Sequence, residues 1–268
     1  MSYSSYSDYK DSGVAWIGQI PSHWTKARLK FLCKVQTGNR DTVHASPDGA
    51  YPFFIRSPKV SRIDSFSFDC EAILTPGDGD VGNIFHHVNG KFDFHQRVYM
   101  MNQFKKVYPR FFYYYMRGMF ICVAKDGSAK TTVDSLRLPT LHNFWFALPK
   151  IQEQESIANF LDRETARIDK LIAEKQNFIK LLKEKRQALI SHVVTKGLNS
   201  NVKMKDTGIE WIGEVPEHWE LIKFSHFVSI RNGQVDPTEE PWNNFILIAP
   251  NHVESSSGRI LKKETASE

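Results

Sequence analysis

A segment without any glycine or proline runs from Ile151 to Lys196, and it constrains the fold of this chain more than any other feature. Its apolar residues recur in alternating steps of four and three, the heptad pattern of a coiled-coil helix, over more than four heptads. At about 1.5 Å per residue, such a helix would be roughly 65–70 Å long. The apolar stripe contains Ile157 and the residues that we predict to pair with another helix: Leu161, Ile168, Leu171, Phe178, Leu182 and Leu189.

A narrow apolar stripe of this kind has to be buried against another helix or against a domain. The 268 residues contain no second copy of the segment. The partner helix is therefore supplied from elsewhere, or the helix packs back on its own domain. The length of the stripe favours a partner helix, because it exceeds what a helix of a globular domain needs.

An internal repeat sets the organisation of the rest of the chain. Lys10–Trp24 reads KDSGVAWIGQIPSHW and Lys205–Trp219 reads KDTGIEWIGEVPEHW, with nine of fifteen positions identical at an offset of 195 residues. The offset far exceeds the period of about 20–50 residues found in solenoids, so the repeat indicates a duplicated domain. We therefore predict a first domain at residues 1–149, a long helix at 150–197 and the start of a second domain at 198–268.

The region between the first repeat and the helix has the composition of an α+β domain rich in β structure. Residues 25–149 hold 21 of the 34 aromatic residues, which we expect mostly in the core. Short apolar runs at Ala72–Thr75, Val98–Met101 and Phe144–Leu148 predict strands, and Asn89-Gly90 predicts a turn. Pro109 followed by an apolar run to Phe120 predicts a short helix with proline in its first turn.

Basic residues are concentrated in the same region. Residues 25–149 carry 17 Lys and Arg against 10 Asp and Glu, whereas the whole chain has a net charge of +5. A surplus of this sign favours a polyanionic partner such as nucleic acid, although a mildly basic solvated surface would give the same count.

Other features of the composition point to a cytoplasmic globular protein. The aromatic and hydrophobic content argues against disorder. No apolar run of about 18 residues predicts a membrane span, and the first ten residues lack the layout of a signal peptide. The three cysteines, Cys33, Cys70 and Cys122, are scattered without a Cys-x-x-Cys pair, which fits a reducing compartment.

Three passages of the chain resemble the DNA-specificity (S) subunits of type I restriction–modification systems. The repeated segment beginning at Lys10 resembles the one that leads into each target recognition domain of that family. Leu148–Gln154, LPKIQEQ, resembles the Leu-Pro-x-x-x-Glu-Gln start of the conserved spacer helix, and Ile157–Ile172 looks like the helix itself. Family members usually hold two recognition domains and two spacer helices. This chain stops inside the second domain, which fits a natural truncation, a half-length form or a fragment.

The resemblance implies a non-catalytic protein that binds double-stranded DNA and reads one half of a bipartite target. Methylation and cleavage would then belong to methyltransferase (M) subunits and a restriction (R) subunit. S-adenosylmethionine, ATP and magnesium are expected only on those partners. The chain itself lacks the Asn/Asp-Pro-Pro-Tyr/Phe tetrapeptide and the phosphate-binding G-x-x-x-x-G-K-[ST] sequence. A homodimer formed through the spacer helix, a coiled-coil assembly module without DNA contact and a stand-alone nuclease are the alternatives.

Two local patterns could carry other chemistry, and neither predicts it convincingly. Gly77–Gly82 matches G-x-G-x-x-G, but no helix pattern follows and two carboxylates would face a pyrophosphate, so a glycine-rich turn between strands is preferred. His86, His87 and His95, with Asp80 or Asp93, could suggest a metal cluster, but adjacent histidines on a strand point to opposite faces. We therefore predict no catalytic residue and no metal ligand.

The predicted DNA-reading residues are bases, amides and hydroxyls in polar loops. Arginine and lysine read guanine, glutamine and asparagine read adenine, and hydroxyl groups hold phosphates. The loop around Lys125–Thr132 resembles a family loop close to DNA, but each of these segments could also be an ordinary surface loop. The predicted residues are Gln36, Thr37, Asn39, Arg40, Arg56, Lys59, Arg62, Gln96, Arg97, Lys125, Ser128, Lys130 and Thr131.

Overall fold

The computed structural model describes residues 6–124, 135–229, 236, 239–255 and 257–265. The chain divides into two compact units, Met1–Phe178 and Ile179–Glu268. The domain limits 1–149, 150–197 and 198–268 stay a prediction.

The strands of the first unit are β1 (Tyr9–Asp11), β2 (Gln19–Pro21), β3 (Thr25–Arg28), β4 (Lys34–Thr37), β5 (Tyr51–Phe54), β6 (Ser61–Ile63), β7 (Phe68–Pro76), β8 (His86–Phe94), β9 (Val98–Asn102) and β10 (Trp145–Leu148). The unit is built around a six-stranded sheet with the strand order β4-β9-β7-β8-β5-β6. Its neighbouring strands are antiparallel except β5 and β8, which are parallel. Two further antiparallel pairs join β1 to β2 and β3 to β10.

Helices flank this sheet, and the predicted α+β fold is confirmed. Pro109 lies in the first turn of helix α1 (Pro109–Met119), as the sequence predicts. The N–H groups of the first turn have no partner within the helix, so the N–H that proline lacks is not missed there. Phe112 of α1 is fully buried and stacks on Phe146 of β10 with ring centroids 4.6 Å apart. The helices are α1 (Pro109–Met119), α2 (Ile121–Ala124), α3 (Leu138–Asn143) and α4 (Ile151–Lys196).

The second half of strand β7, Ala72–Pro76, is buried on both faces and lies at the centre of the core. Ile73 and Leu74 are both fully buried, yet they belong to two different apolar clusters. Successive side chains of a strand point to opposite faces, which explains the division. The cluster around Ile73 includes the buried aromatic residues of α1 and β10, and that around Leu74 includes Phe92 and Phe94 of β8. The aromatic residues therefore supply much of the core, as expected.

The predicted turn at Asn89-Gly90 is wrong. Both residues lie inside β8, where Asn89 is paired with Glu71 and Gly90 with Cys70 of β7. The φ angle of Gly90 is +121°, a value that glycine tolerates within the strand. The connection between β7 and β8 is instead the Gly77–Gly82 region, which is the glycine-rich turn expected there.

Helix α4 begins as part of the first unit. Gln154 is almost fully buried, and its Oε1 accepts a hydrogen bond of 2.8 Å from the backbone N–H of Tyr108. Two turns further on, the Asp162 carboxylate accepts a hydrogen bond of 2.7 Å from Nε of Arg110 on α1. Ala158, between them, is fully buried. The first turns of the helix are therefore packed on the domain that precedes it.

The second unit repeats the opening hairpin of the first. Its strands are β11 (Met204–Asp206), β12 (Glu214–Pro216), β13 (Ile246–Leu247) and β14 (Glu264–Thr265). Met204 is paired with Pro216 in β11 and β12, as Tyr9 is paired with Pro21 in β1 and β2. These positions differ by the repeat offset, so the duplicated sequence forms the same local structure twice.

Candidate nucleic-acid interface

Predicted DNA-reading residues from three separate segments converge around Asp78. Thr37, at the end of β4, lines a cleft of about 270 Å³ together with Asp78, Gln96 and Arg97. Arg56, which follows β5, lines a neighbouring cleft of about 280 Å³ that also contains Asp78. Asp78 is thus shared by the two clefts, and we refer to these five residues as the Asp78 cluster.

Asp78 holds one arginine on each carboxylate oxygen. Nη1 of Arg56 donates to Oδ1 and Nη1 of Arg97 donates to Oδ2, each at 2.8 Å. The side chain of Asp78 is 12% exposed, whereas those of Arg56 and Arg97 are 45% and 64% exposed. Burial by itself raises the pKa of Asp78, but the hydrogen bonds from both arginines outweigh it and hold the pKa below its usual value. The group is therefore a carboxylate at neutral pH with two guanidiniums fixed on it.

Backbone contacts fix the same residues. The N–H of Gly77 donates to the carbonyl of Arg97 at 2.8 Å, and Nδ1 of His95 accepts from the N–H of Arg97 at 3.0 Å. His95 is almost fully buried, and this burial lowers its pKa although the nearby Asp41 carboxylate acts in the opposite direction. A neutral imidazole suits this contact, because only an unprotonated ring nitrogen can accept the N–H.

Arg40 lies in a buried ion pair that the sequence did not predict. Its Nε donates to Oδ2 of Asp93 at 3.1 Å, and Asp93 is fully buried. Ser67 donates to the same oxygen at 2.7 Å. The carbonyl of Arg40 also accepts from the N–H of Gln96 at 2.8 Å, which ties this pair to the Asp78 cluster. Arg40 therefore has a structural role, and its contact with DNA stays a prediction.

The other predicted residues are more dispersed. Gln36 is half-buried on β4, while Asn39 and Lys59 are exposed in loops. Arg62 lies on β6, and its guanidinium donates to the carbonyls of Gly49 and Ala50 at 2.8 and 3.1 Å. None of these four side chains lines the two clefts around Asp78.

The predicted loop before α3 lies outside the described residues. This applies to Lys125, Ser128, Lys130 and Thr131. The chain that follows the loop is attached to the Asp78 cluster, because Ser135 forms a β-bridge with Asp78 and the N–H of Leu136 donates to the carbonyl of Gly77 at 2.8 Å.

The three histidines have separate partners. Nε2 of His86 lies 3.0 Å from the carbonyl of Ser57, and Nε2 of His87 lies 2.8 Å from the Glu71 carboxylate. Burial lowers the pKa of His86, against the opposing effect of its backbone hydrogen bond. Within the described ranges, no three His, Cys, Asp or Glu side chains are grouped as metal ligands would be.

A second candidate surface is the apolar stripe of α4. Leu161 is half-buried and lines a groove with Tyr114 of α1. The later predicted pairing residues are 44–60% exposed within the described chain: Ile168, Leu171, Phe178, Leu182 and Leu189. Packing on the preceding domain therefore accounts for the start of the stripe and leaves the rest uncovered. None of the helices in the described residues combines the length and apolar character needed to cross a bilayer.

Asp78 and Asp93 were missed as organising residues. Asp78 lies in the Gly77–Gly82 segment, whose glycines match G-x-G-x-x-G. That pattern indicated the correct segment, but it suggested a nucleotide site and not an ion pair with two arginines. Asp93 was considered only as an acid that could join the histidines in a metal cluster. Its partners Arg40 and Ser67 lie 53 and 26 residues away in the chain, so no local pattern indicates the ion pair.

Residues 21–181 match the family described as the type I restriction modification DNA specificity domain, and the chain belongs to this family. It is 29% identical over 257 residues to the type I restriction enzyme EcoDI specificity subunit of Escherichia coli, covering 90% of this chain and 56% of that protein. It is 22% identical over 229 residues to the MjaVIII specificity subunit of Methanocaldococcus jannaschii, covering 81% and 52% of the two chains. The chain thus spans about half the length of the curated relatives it matches.

A solved structure on the complex assembly and conformational transition of the type I R-M system has a similar fold. The TM-score is 0.53 at 16% sequence identity, over 67% of this chain and 47% of the other. At this identity the similarity concerns the fold, which combines a β-rich domain with a long helix.

Proposed function

We propose that this chain reads one half of a bipartite DNA target for a type I restriction–modification complex and catalyses no reaction itself. The observation that carries the proposal is the Asp78 cluster, in a chain that belongs to the DNA-specificity family. Its arginines, glutamine and threonine are the side chains that recognise base edges and phosphates.

The partners in this proposal are double-stranded DNA, methyltransferase subunits and a restriction subunit. Helix α4 serves as the spacer and as the docking surface for the methyltransferase subunits. Its exposed apolar residues support this role, because burying them against a partner protein removes apolar surface from water. S-adenosylmethionine, ATP and magnesium are assigned to the partner subunits, because the chain has no recognised sequence for binding the first two. A cytoplasmic location remains a prediction.

Binding of the purified full-length chain to duplex DNA at graded salt tests DNA recognition. We expect the logarithm of the affinity to fall linearly with the logarithm of the salt concentration, as counterions are released. Arg97→Ala should weaken binding. Lys170→Ala removes a cation that is paired with Glu174 on α4, and it should leave binding unchanged. An absence of DNA binding even at low salt would favour the coiled-coil assembly module.

A cleavage assay on the same protein tests the non-catalytic assignment. The purified chain is incubated with DNA and a divalent metal, without partner subunits. We expect no cleavage. Metal-dependent cleavage that is lost in Asp80→Asn or His86→Gln would show a nuclease and contradict the proposal.

A second proposal concerns the assembly of the chain, and the exposed stripe of α4 favours it. Two copies of the chain pair their α4 helices antiparallel. A twofold pair of this kind presents two identical recognition domains, so the target consists of two inverted copies of one half-site. Light scattering over a concentration series tests the pairing, and a strict monomer at all concentrations would contradict it.

A further inference from the structure

We infer that Asp78 is a positioning residue that holds Arg56 and Arg97 in the orientation needed to read one guanine each, so that the half-site contains two guanines. This inference rests on the proposed DNA recognition. It adds the identity of two bases and names the residue that makes the arginines selective.

The geometry leaves most of each guanidinium available. Arg56 and Arg97 each use one N–H for Asp78. Their side chains form no other hydrogen bond with the described residues. The O6 and N7 atoms of guanine require two donors from one guanidinium. A guanidinium held at a single nitrogen keeps the donors for such a bidentate contact and has lost part of its freedom to rotate.

Hydrogen bonds to the backbone order the Asp78 cluster before DNA binds. Asp78 is nearly buried between the two clefts, and Gly77 and Arg97 are joined by a backbone hydrogen bond of 2.8 Å. Nδ1 of His95 accepts the N–H of Arg97. Ordering a long side chain costs free energy on binding, and a side chain that is ordered beforehand avoids part of that cost.

The carboxylate favours a base edge over a phosphate as the ligand. A phosphate contact requires positive charge but little orientation, and an adjacent carboxylate repels the phosphate. Two arginines and one aspartate together carry a charge of only +1, so Asp78 reduces sequence-independent attraction while keeping the donors in place. The separate clefts place the arginines against different bases, since Thr37 and Gln96 accompany Arg97, whereas Thr42 and Ser57 accompany Arg56.

Selection of sites from a random duplex library tests the inference with the full-length chain. The wild-type chain should select a half-site with guanine at two positions. Arg97→Lys and Arg56→Lys keep the charge but lose the bidentate fork, so each should lower the preference for guanine at one position by a factor of about 5 to 150. Asp78→Asn should lower the preference at both positions together. It should also raise the affinity for unrelated sequences, because it removes the carboxylate that repels phosphate.

Asp162→Asn is the matched control, because Asp162 also pairs with an arginine, Arg110, but on helices away from the two clefts. It should leave the selected bases unchanged. A purely structural role of Asp78 would instead lower the folded fraction without changing which bases are preferred, so folding is measured for each variant.

Three results would overturn the inference. The first is a selected half-site without guanine, and the second is an Asp78→Asn variant with unchanged preference at both positions. The third is an Arg56→Lys or Arg97→Lys variant that weakens all sequences equally. Each of these leaves sequence-specific DNA recognition standing. If the wild-type chain selects no sequence at all, the inference and the proposed function both fail. When only the inference fails, the wild-type chain still selects a sequence, so the two failures can be distinguished.

Discussion

Replacing Arg40 by alanine tests the structural role of a residue that the sequence assigns to DNA. In the folded chain, Arg40 is the cation beside Asp93, a fully buried carboxylate. After the substitution, Asp93 keeps hydrogen bonds from Ser67 at 2.7 Å and from the N–H of Phe94 at 2.9 Å, but it loses its charged partner. A buried charge without a counterion is costly because the protein interior solvates it poorly.

The magnitude follows from the burial of the two groups. Breaking a fully buried ion pair by removing one partner costs about 3–5 kcal/mol. The Arg40 side chain is 30% exposed, and Asp93 retains two hydrogen bonds, so water and these donors compensate in part. We expect Arg40→Ala to lower the free energy of unfolding of the first unit by about 2–3 kcal/mol. For a domain of this size, the melting temperature would fall by roughly 5–10 °C.

Hydrogen exchange of the full-length chain, measured by mass spectrometry, gives this free energy for peptides from β7 to β9. Arg97→Ala is the control, because that side chain is 64% exposed and its ion pair should contribute less than about 1 kcal/mol. Asp93→Asn should cost less in the Arg40→Ala background than in the wild type, because it removes the unpaired charge. The reasoning is refuted if Arg40→Ala changes the stability by less than about 0.5 kcal/mol and yet abolishes DNA binding.

Three further predictions concern DNA, assembly and pH. Replacing Lys125 and Lys130 by alanine should weaken DNA binding. The slope of the logarithm of the affinity against the logarithm of the salt concentration should become shallower by up to about one per lost phosphate contact. Unchanged affinity at every salt concentration would show that this loop does not contact DNA. Leu171→Asp combined with Phe178→Asp places charges in the apolar stripe and should abolish the pairing measured by light scattering. Circular dichroism should show that the domain is still folded, and a persistent dimer would contradict pairing through α4. Burial lowers the pKa of His95 and also that of His86, so the unfolded chain takes up a proton at each of them first as the pH falls through about 6.5. The stability should therefore decrease below that pH, and His95 should contribute at most about 1.4 kcal/mol per pH unit to the decrease. His95→Asn should make this dependence less steep in urea melts between about pH 7.5 and 5.5, with the contribution of His86 remaining, and an equally steep decline would contradict the role of His95.

Features that depend on neighbours in the chain could be predicted from the sequence. The start of α1 follows from the Pro109 signal, and the β1–β2 hairpin recurs in the second unit with its repeated sequence. The turn predicted at Asn89-Gly90 was wrong because the structure of these two residues depends on a strand that is distant in the chain. Seven consecutive residue pairs between β7 and β8 stabilise an extended backbone there, and this long-range pairing overrides the local preference of the two residues.

The candidate site could be predicted only as a set of residue types. Thr37, Arg56, Gln96 and Arg97 were selected as polar groups in loops, without any indication that they would meet. Arg62 was selected by the same criterion, but its guanidinium is held by the carbonyls of Gly49 and Ala50. Residue type and loop position do not distinguish these cases, because the difference lies in the partners that each arginine finds.

The sequence by itself determined the long helix and the duplicated hairpin. Both depend on interactions within a few residues, namely the heptad pattern without glycine or proline in Ile151–Lys196 and the turn residues of each repeat. Only the tertiary structure decided that Asp78 holds Arg56 and Arg97, and that Asp93 holds Arg40. These partners lie 19 to 53 residues apart in the chain. They meet because the strands of the sheet are arranged in the order β4-β9-β7-β8-β5-β6, an order that arises from long-range pairing and that no local pattern encodes.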